Sequence, residues 1–145
     1  MTEPKQSAER FPPLLAQAIG FDAVLRLEAT PGSSIVRYVA RIEHTHSGGR
    51  IVQGGFVTAW LDNSMAYAVY ARDPETTIAS LDLTVSFLER IGQGPIVAQA
   101  RVLRWGGRVV FLESELYPAD AAGGPDTTRG PLTRATSTAM LVRSH

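Results

Sequence analysis

One segment of this chain lacks a polar side. Residues 54–72, GGFVTAWLDNSMAYAVYAR, show no alternation, and their only charged residues are Asp62 and the final Arg72. A helix that is apolar almost all round is buried on most sides. The rest of the chain must therefore supply a surface that wraps it, and this requirement narrows the possible folds more than any other feature.

The flanking sequence has the pattern of such a wrapper. In DAVLRLEA, Ala23, Leu25, Leu27 and Ala29 oppose Val24, Arg26 and Glu28; in IVRYVARIE, Val36, Tyr38, Ala40 and Ile42 oppose Arg37, Arg41 and Glu43. A period of two on both sides of the turn TPGSS predicts an antiparallel hairpin. HTHSGGR reads as a loop before the apolar segment, and DPE ends that segment. Alternation returns in TTIASLDLTVSFLER, where Ala79, Leu81, Leu83, Val85 and Phe87 oppose Ser80, Asp82, Thr84 and Ser86. IVAQARVLR and RVVFLESELY flank WGG as a second hairpin, and LTRATSTAMLVR is a last strand. PADAAGGPDTTRGP, rich in Gly and Pro, is expected to be a disordered insertion. Near the start, residues 1–7 are expected to lack order, and a short helix is expected from about Pro12 with Gly20 as its stop. The order helix, two strands, long helix, four strands predicts an α+β protein with an antiparallel sheet curled around one helix. Residues 1–20 form a tail and short helix, and residues 21–145 a single domain.

Composition removes several functional classes. The formal net charge is zero, which gives no electrostatic basis for a nucleic-acid or anionic-membrane partner. No cysteine is present, so disulfides, thiolate catalysis and zinc-thiolate sites are excluded. MTEPKQSAERF is polar and of mixed charge, unlike a signal peptide, and no apolar run is long enough to span a membrane. The expected location is cytoplasmic. His44 and His46 without a third ligand make a poor metal site, so no metal and no cofactor is expected.

Two local structures are open for the apolar segment. Asp62 or Ser64 can serve as N-cap for a helix beginning at MAYAVYAR, with IVQGGFVTAWL as a strand bearing a glycine bulge. Alternatively the helix begins at the glycines. Its first N–H groups then lack intrahelical partners and lie at the positive end of the helix dipole. Gly54 and Gly55 would let a carbonyl approach that backbone closely, as in an oxyanion site. Asp62 in apolar surroundings would be poorly solvated, which favours a reactive carboxylate. Eight residues of helix rise about 12 Å, whereas a reacting atom lies roughly 3 Å from both its oxyanion donors and its attacking group. On one straight helix, Gly54 and Asp62 cannot serve the same site. Either their purposes differ, or a second subunit brings its Asp62 to the first subunit's glycines.

The spacing QGGFVTAWLD, the element order, the strand IASLDLTVSFL and the hairpin VLRWGGRVVFLESELY resemble the hotdog-fold acyl-CoA thioesterases of the phenylacetate-degradation (PaaI) type, from about residue 20 to residue 143. The resemblance implies that the sheet wraps the helix and that Gly54 polarises the thioester carbonyl. It implies that Asp62 of the other subunit attacks or activates water, and that Ser80 holds the water or the carboxylate. Gln53 stands where the family usually has histidine, and Ser47 where it often has a polar amide. Both are expected to bind substrate beside Gly55. Among Arg90, Arg104 and Arg108, the resemblance favours Arg108, after the Gly-Gly hairpin tip, for coenzyme A phosphate. Trp60 and Tyr67 are expected in the core or an interface. The implied activity is hydrolysis of an acyl-CoA to free acid and coenzyme A by a homodimer or homotetramer with sites at subunit interfaces. Two alternatives are a non-catalytic acyl-CoA binding protein and a hydratase or dehydratase using His46 with Asp62.

Overall fold

The structure is a computed structural model that describes residues 11–143; the segment 1–7 lies outside the described residues. A short helix α1 (Pro13–Ala18) leads into β1 (Phe21–Glu28) and β2 (Ser33–Ala40). A 3-10 turn (Ile42–His44) and two miniature strands, β3 (Thr45–His46) and β4 (Ile51–Val52), precede the long helix α2 (Gly54–Arg72). The strands β5 (Thr76–Phe87), β6 (Gly94–Trp105), β7 (Val109–Pro118) and β8 (Thr133–Arg143) follow. One six-stranded sheet has the order β1-β2-β6-β7-β8-β5 with every neighbouring pair antiparallel. This is the expected hotdog architecture. No described helix is long and apolar enough to cross a membrane.

The inner face of the sheet packs on α2 through Tyr38 from β2, Ala98 from β6, Leu112 from β7 and Ala139 from β8. The helix contributes Trp60, Leu61, Met65, Ala68 and Val69, all fully buried. Each large apolar side chain of this kind contributes roughly 1.5–3 kcal/mol on burial. Serines in the core pair with one another: Ser34 Oγ donates to the Ser64 carbonyl at 2.7 Å, and the Ser64 and Ser114 hydroxyls share a bond of 2.7 Å. One stripe of α2 stays open, through Gly55, Ala59 and Asp62.

Helix α1 has no buried residues of its own. Its C-terminal carbonyls are held by side chains from elsewhere. Arg41 donates to the Gln17 carbonyl at 2.8 Å, His44 Nε2 to Ala18 at 2.8 Å, and Trp60 Nε1 to Ile19 at 2.6 Å. Gly20 then turns the chain at φ 71°.

Four details depart from the sequence expectations. Strand β2 ends at Ala40 rather than continuing to Glu43, because the Ile42–His44 turn is closed by the Arg41 N–H on His44 Nδ1. The expected loop HTHSGGR contains strand β3, which pairs with β4 immediately after it. Helix α2 is continuous from Gly54, so Asp62 and Ser64 lie in its interior and cap nothing. Finally, the expected disordered insertion is a hydrogen-bonded loop. Asp120 Oδ1 accepts the Ala122 and Gly124 N–H groups, Asp126 Oδ1 accepts both the N–H and hydroxyl of Thr128, and Arg37 donates to the Gly123 carbonyl. These local side-chain turns add to backbone bonds such as Asp120 N–H to the Gly124 carbonyl and Asp126 N–H to the Pro118 carbonyl, so richness in Gly and Pro marks a turn-dense loop here.

Candidate active site

The first half of the site is the N-terminus of α2. Gln53 N–H donates to the His44 carbonyl at 2.9 Å, and the Phe56 and Val57 N–H groups return to the Gln53 carbonyl at 3.0 and 3.3 Å. Among the described residues this leaves the Gly54 and Gly55 N–H groups without acceptors. Gln53 is exposed, and its side chain does not cap the helix. A cavity of ≈ 360 Å³ borders Gly54, walled by Val52, Val57, Phe87 and Ile91, with Arg90 and Thr133 also in its lining. A Cβ on Gly54 would come within 3.3 Å of Phe87 Cζ. The glycine thus keeps the helix terminus and the Phe87 ring in close approach.

The second half lies further along the same helix. Asp62 Oδ1 accepts a bond of 2.8 Å from Ser80 Oγ. Strict alternation along β5 places Ser80 on the face opposite Leu83 and Val85, alongside Asp82. The structure corrects this. Strand β5 bulges at Leu81, with Ser80 opposite Ala139 and Asp82 opposite Thr138. The extra residue switches the phase of the strand. Ser80 consequently joins Leu83 and Val85 on the inner face and meets Asp62, whereas Asp82 turns outward and accepts the Thr138 N–H. A cavity of ≈ 300 Å³ borders Asp62 and Ser80, walled by Leu15, Ile19, Ala59 and Ile78.

Beside Asp62, Asn63 also borders this cavity, and its Oδ1 accepts the Tyr38 phenol at 2.6 Å. Burial, with added repulsion from Tyr67 and from Asp62, pushes the Tyr38 hydroxyl well above the ordinary phenol range. Tyr38 is therefore a neutral, fixed donor. Neither Asn63 nor Tyr38 stood out in the sequence, because their pairing depends on strand β2 crossing the helix.

The two cavities share no lining residue, and their key groups are about 12 Å apart along α2. A third concavity, ≈ 220 Å³ on the outer face, is walled by groups such as Arg101 and Glu113 that pair with each other. Other expected site residues stand apart. Ser47 is exposed in the β3–β4 turn, where its hydroxyl bonds His46 Nδ1 at 2.9 Å. Arg108 is exposed at the β6–β7 tip and lines neither cavity; Arg90 lines the Gly54 cavity. His44 and His46, the two histidines of the HTHSGGR segment, have different surroundings. His44 is buried in the 3-10 turn with both ring nitrogens engaged, and His46 is exposed and borders neither cavity. No metal-binding cluster occurs among the described residues.

Residues 49–123 match the family model of the thioesterase superfamily. A protein of Saccharolobus solfataricus named as a candidate esterase is 26% identical over 124 residues, which cover 86% of this chain and 88% of that protein. A phenylacetic acid degradation-related protein of Ralstonia eutropha JMP134, described as a candidate thioesterase, superposes with a TM-score of 0.75 at 27% identity, covering 94% of this chain and 96% of that one. The Escherichia coli PaaI protein shares the fold, with a TM-score of 0.75 at 16% identity over 96% of this chain and 91% of that one. With its helix, sheet and glycine motif accounted for, the chain belongs to the thioesterase superfamily, as a hotdog-fold member of the phenylacetate-degradation (PaaI) type.

Proposed function

We propose that this protein hydrolyses an acyl-CoA thioester, adding one water to give a free carboxylic acid and coenzyme A. The observation that carries the reading is the separation of the two half-sites. Free N–H donors lie at one end of α2 and a hydrogen-bonded carboxylate lies about 12 Å away, in a different cavity. A second copy of the chain is needed to complete either.

Strand β5 supports a particular way of doing this. It is an edge of the sheet, twelve residues long, and an unpaired edge of that length is a template for another strand. Its inner face presents Ser80 beside Asp62 and Phe87 beside Gly54. An antiparallel pairing with a dyad through Thr84 sets Leu83 opposite Val85 of the second copy. With the Leu81 bulge skipped, Ser80 then falls opposite Phe87 of the second copy. The Asp62 of each chain would thereby reach the Gly54 terminus of the other.

In the assembled site the Gly54 and Gly55 N–H groups donate to the thioester carbonyl oxygen and stabilise the oxyanion that develops on it. Asp62 takes the proton of the attacking water, or adds to the carbonyl itself, while Ser80 holds the carboxylate in line. The tetrahedral intermediate then expels the coenzyme A thiolate, which takes up the proton; where Asp62 itself adds, water then hydrolyses the acyl–aspartyl anhydride to free acid and restored carboxylate. Arg90, which lines the Gly54 cavity, suits a phosphate of the nucleotide; Gln53, next to Gly54, is a further hydrogen-bond donor. The apolar walls take the acyl group. No metal or prosthetic group enters these steps.

The test is release of free thiol across a panel of aromatic, short-chain and medium-chain acyl-CoAs. Turnover of at least one class is expected. Tight binding without thiol release anywhere in the panel would make the protein an acyl-CoA binder instead.

A further inference from the structure

Thr133 is an exception within the core. The buried polar side chains of Ser34, His44, Ser64, Thr76, Ser114 and Ser137 each have a hydrogen-bond partner. Thr133 is fully buried, and its Oγ1 is the one buried side-chain polar atom without a partner among the described residues. Leaving a hydroxyl unsatisfied opposes folding, and valine would fill the same volume without that cost. An orphan of this kind calls for a physical reason.

Its position supplies one. Thr133 opens β8 on the inner face, opposite Phe87 of β5, and borders the same cavity as Gly54. The surrounding wall is held in place, because the Leu132 carbonyl accepts both the Leu88 and Glu89 N–H groups at 3.0 Å. Gly54, with its unpaired helix N–H, and Thr133, with its unpaired hydroxyl, thus border one apolar-walled space.

We infer that Thr133 is a substrate-contacting residue, whose hydroxyl donates a hydrogen bond to a carbonyl oxygen of the ligand that occupies the Gly54 cavity. The inference rests on the thioesterase reading for the identity of that ligand. Two carbonyl sources fit, the acyl side of the thioester and an amide of the pantetheine arm.

The discriminating variant is Thr133→Val, with Thr133→Ser as the conservative control. For a structural hydroxyl, valine leaves catalysis alone. For a ligand-binding hydroxyl, valine raises or preserves the melting temperature while kcat/KM falls by roughly 10-fold, and serine retains most of the activity. Binding of a non-hydrolysable ketone analogue, in which a methylene separates the coenzyme A sulfur from the carbonyl, should weaken in parallel in Thr133→Val. Assays with a thioester of a simple alkyl thiol separate the two sources. Loss confined to the coenzyme A ester assigns the pantetheine amide, and loss on both substrates assigns the acyl side. Wild-type turnover with Thr133→Val unchanged in both kcat/KM and analogue binding overturns the inference and leaves the thioesterase reading intact. A fall in activity matched by a fall in melting temperature also overturns it. Should the wild type release no thiol, analogue binding still decides, and a wild type that binds no analogue overturns the inference together with the reading.

Discussion

Ser80 Oγ donates a 2.8 Å hydrogen bond to Asp62 Oδ1 across the gap between the edge strand β5 and the helix α2. The bond exists because the Leu81 bulge turns Ser80 inward. Bonds to a charged acceptor are worth about 1.5–3 kcal/mol. Ser80→Ala should therefore lower kcat by roughly 10-fold or more while changing the unfolding midpoint little, since Ser80 is exposed. A steady-state rate equal to wild type would show that the carboxylate is held by other means.

Asp62→Asn keeps the size of the side chain and its ability to accept from Ser80. It removes the proton acceptor of the proposed reaction. Turnover should fall at least roughly 100-fold, with an unchanged circular dichroism spectrum and elution volume. Near-normal thiol release would remove Asp62 from the mechanism.

Shared sites make a stronger claim that mixing can check. Asp62→Asn and Gly54→Val should each be inactive alone. Co-expressed with separable tags, they form mixed dimers in which one site retains an intact Gly54 from one chain and Asp62 from the other. Random pairing should restore roughly a quarter of wild-type activity. Purified mixed dimers as inactive as their parents would place both groups in sites built from a single chain.

Gly20 tests the fold independently of chemistry. A Cβ there would lie 2.4 Å from the Val39 carbonyl oxygen, at φ +71°. Gly20→Ala combines backbone strain with a clash against a strand carbonyl and should cost about 2–3 kcal/mol. Equilibrium denaturation should register the loss as a lower midpoint at unchanged slope.

At alkaline pH, Tyr117 should titrate late. Burial first, then the bond of 3.0 Å to Glu115 and the charge of Glu115, push its phenol up to about 12. The folded value exceeds the ordinary phenol value of about 10. This contribution to stability is therefore complete below about pH 10 and is lost as pH rises toward the folded value. Glu115→Gln should lower the Tyr117 midpoint measured by phenolate absorbance, and an unshifted midpoint would leave burial as the sole cause.

The apolar segment and the alternating strands were legible because burial patterns are local. The helix start was ambiguous in sequence, since Asp62 and Ser64 are good caps in isolation; only the sheet packed around residues 54–61 decides it. Ser80 was legible as a residue and misread as a face, because a bulge leaves no mark in a run of alternating side chains. Thr133 and Asn63 were invisible for a different reason. What distinguishes them is the absence or direction of a partner supplied by a distant element. Arg90 and Arg108 look alike in sequence, and the closeness of Arg90 to Gly54 comes from the segment after β5 folding back over β4.

Helix α1 and the residue after it are fastened through their carbonyls to Arg41, His44 and Trp60, whereas the α1 side chain Leu15, with Phe11 before the helix and Ile19 after it, lines the Asp62 cavity. Attachment and lining are therefore carried by different atoms. Substitutions on α1 can reshape the cavity wall without touching the anchors, which read only the backbone. The device acts as an exchangeable insert: under the proposed reaction, editing a single helical turn would change which acyl group fits, while the scaffold stays as it is.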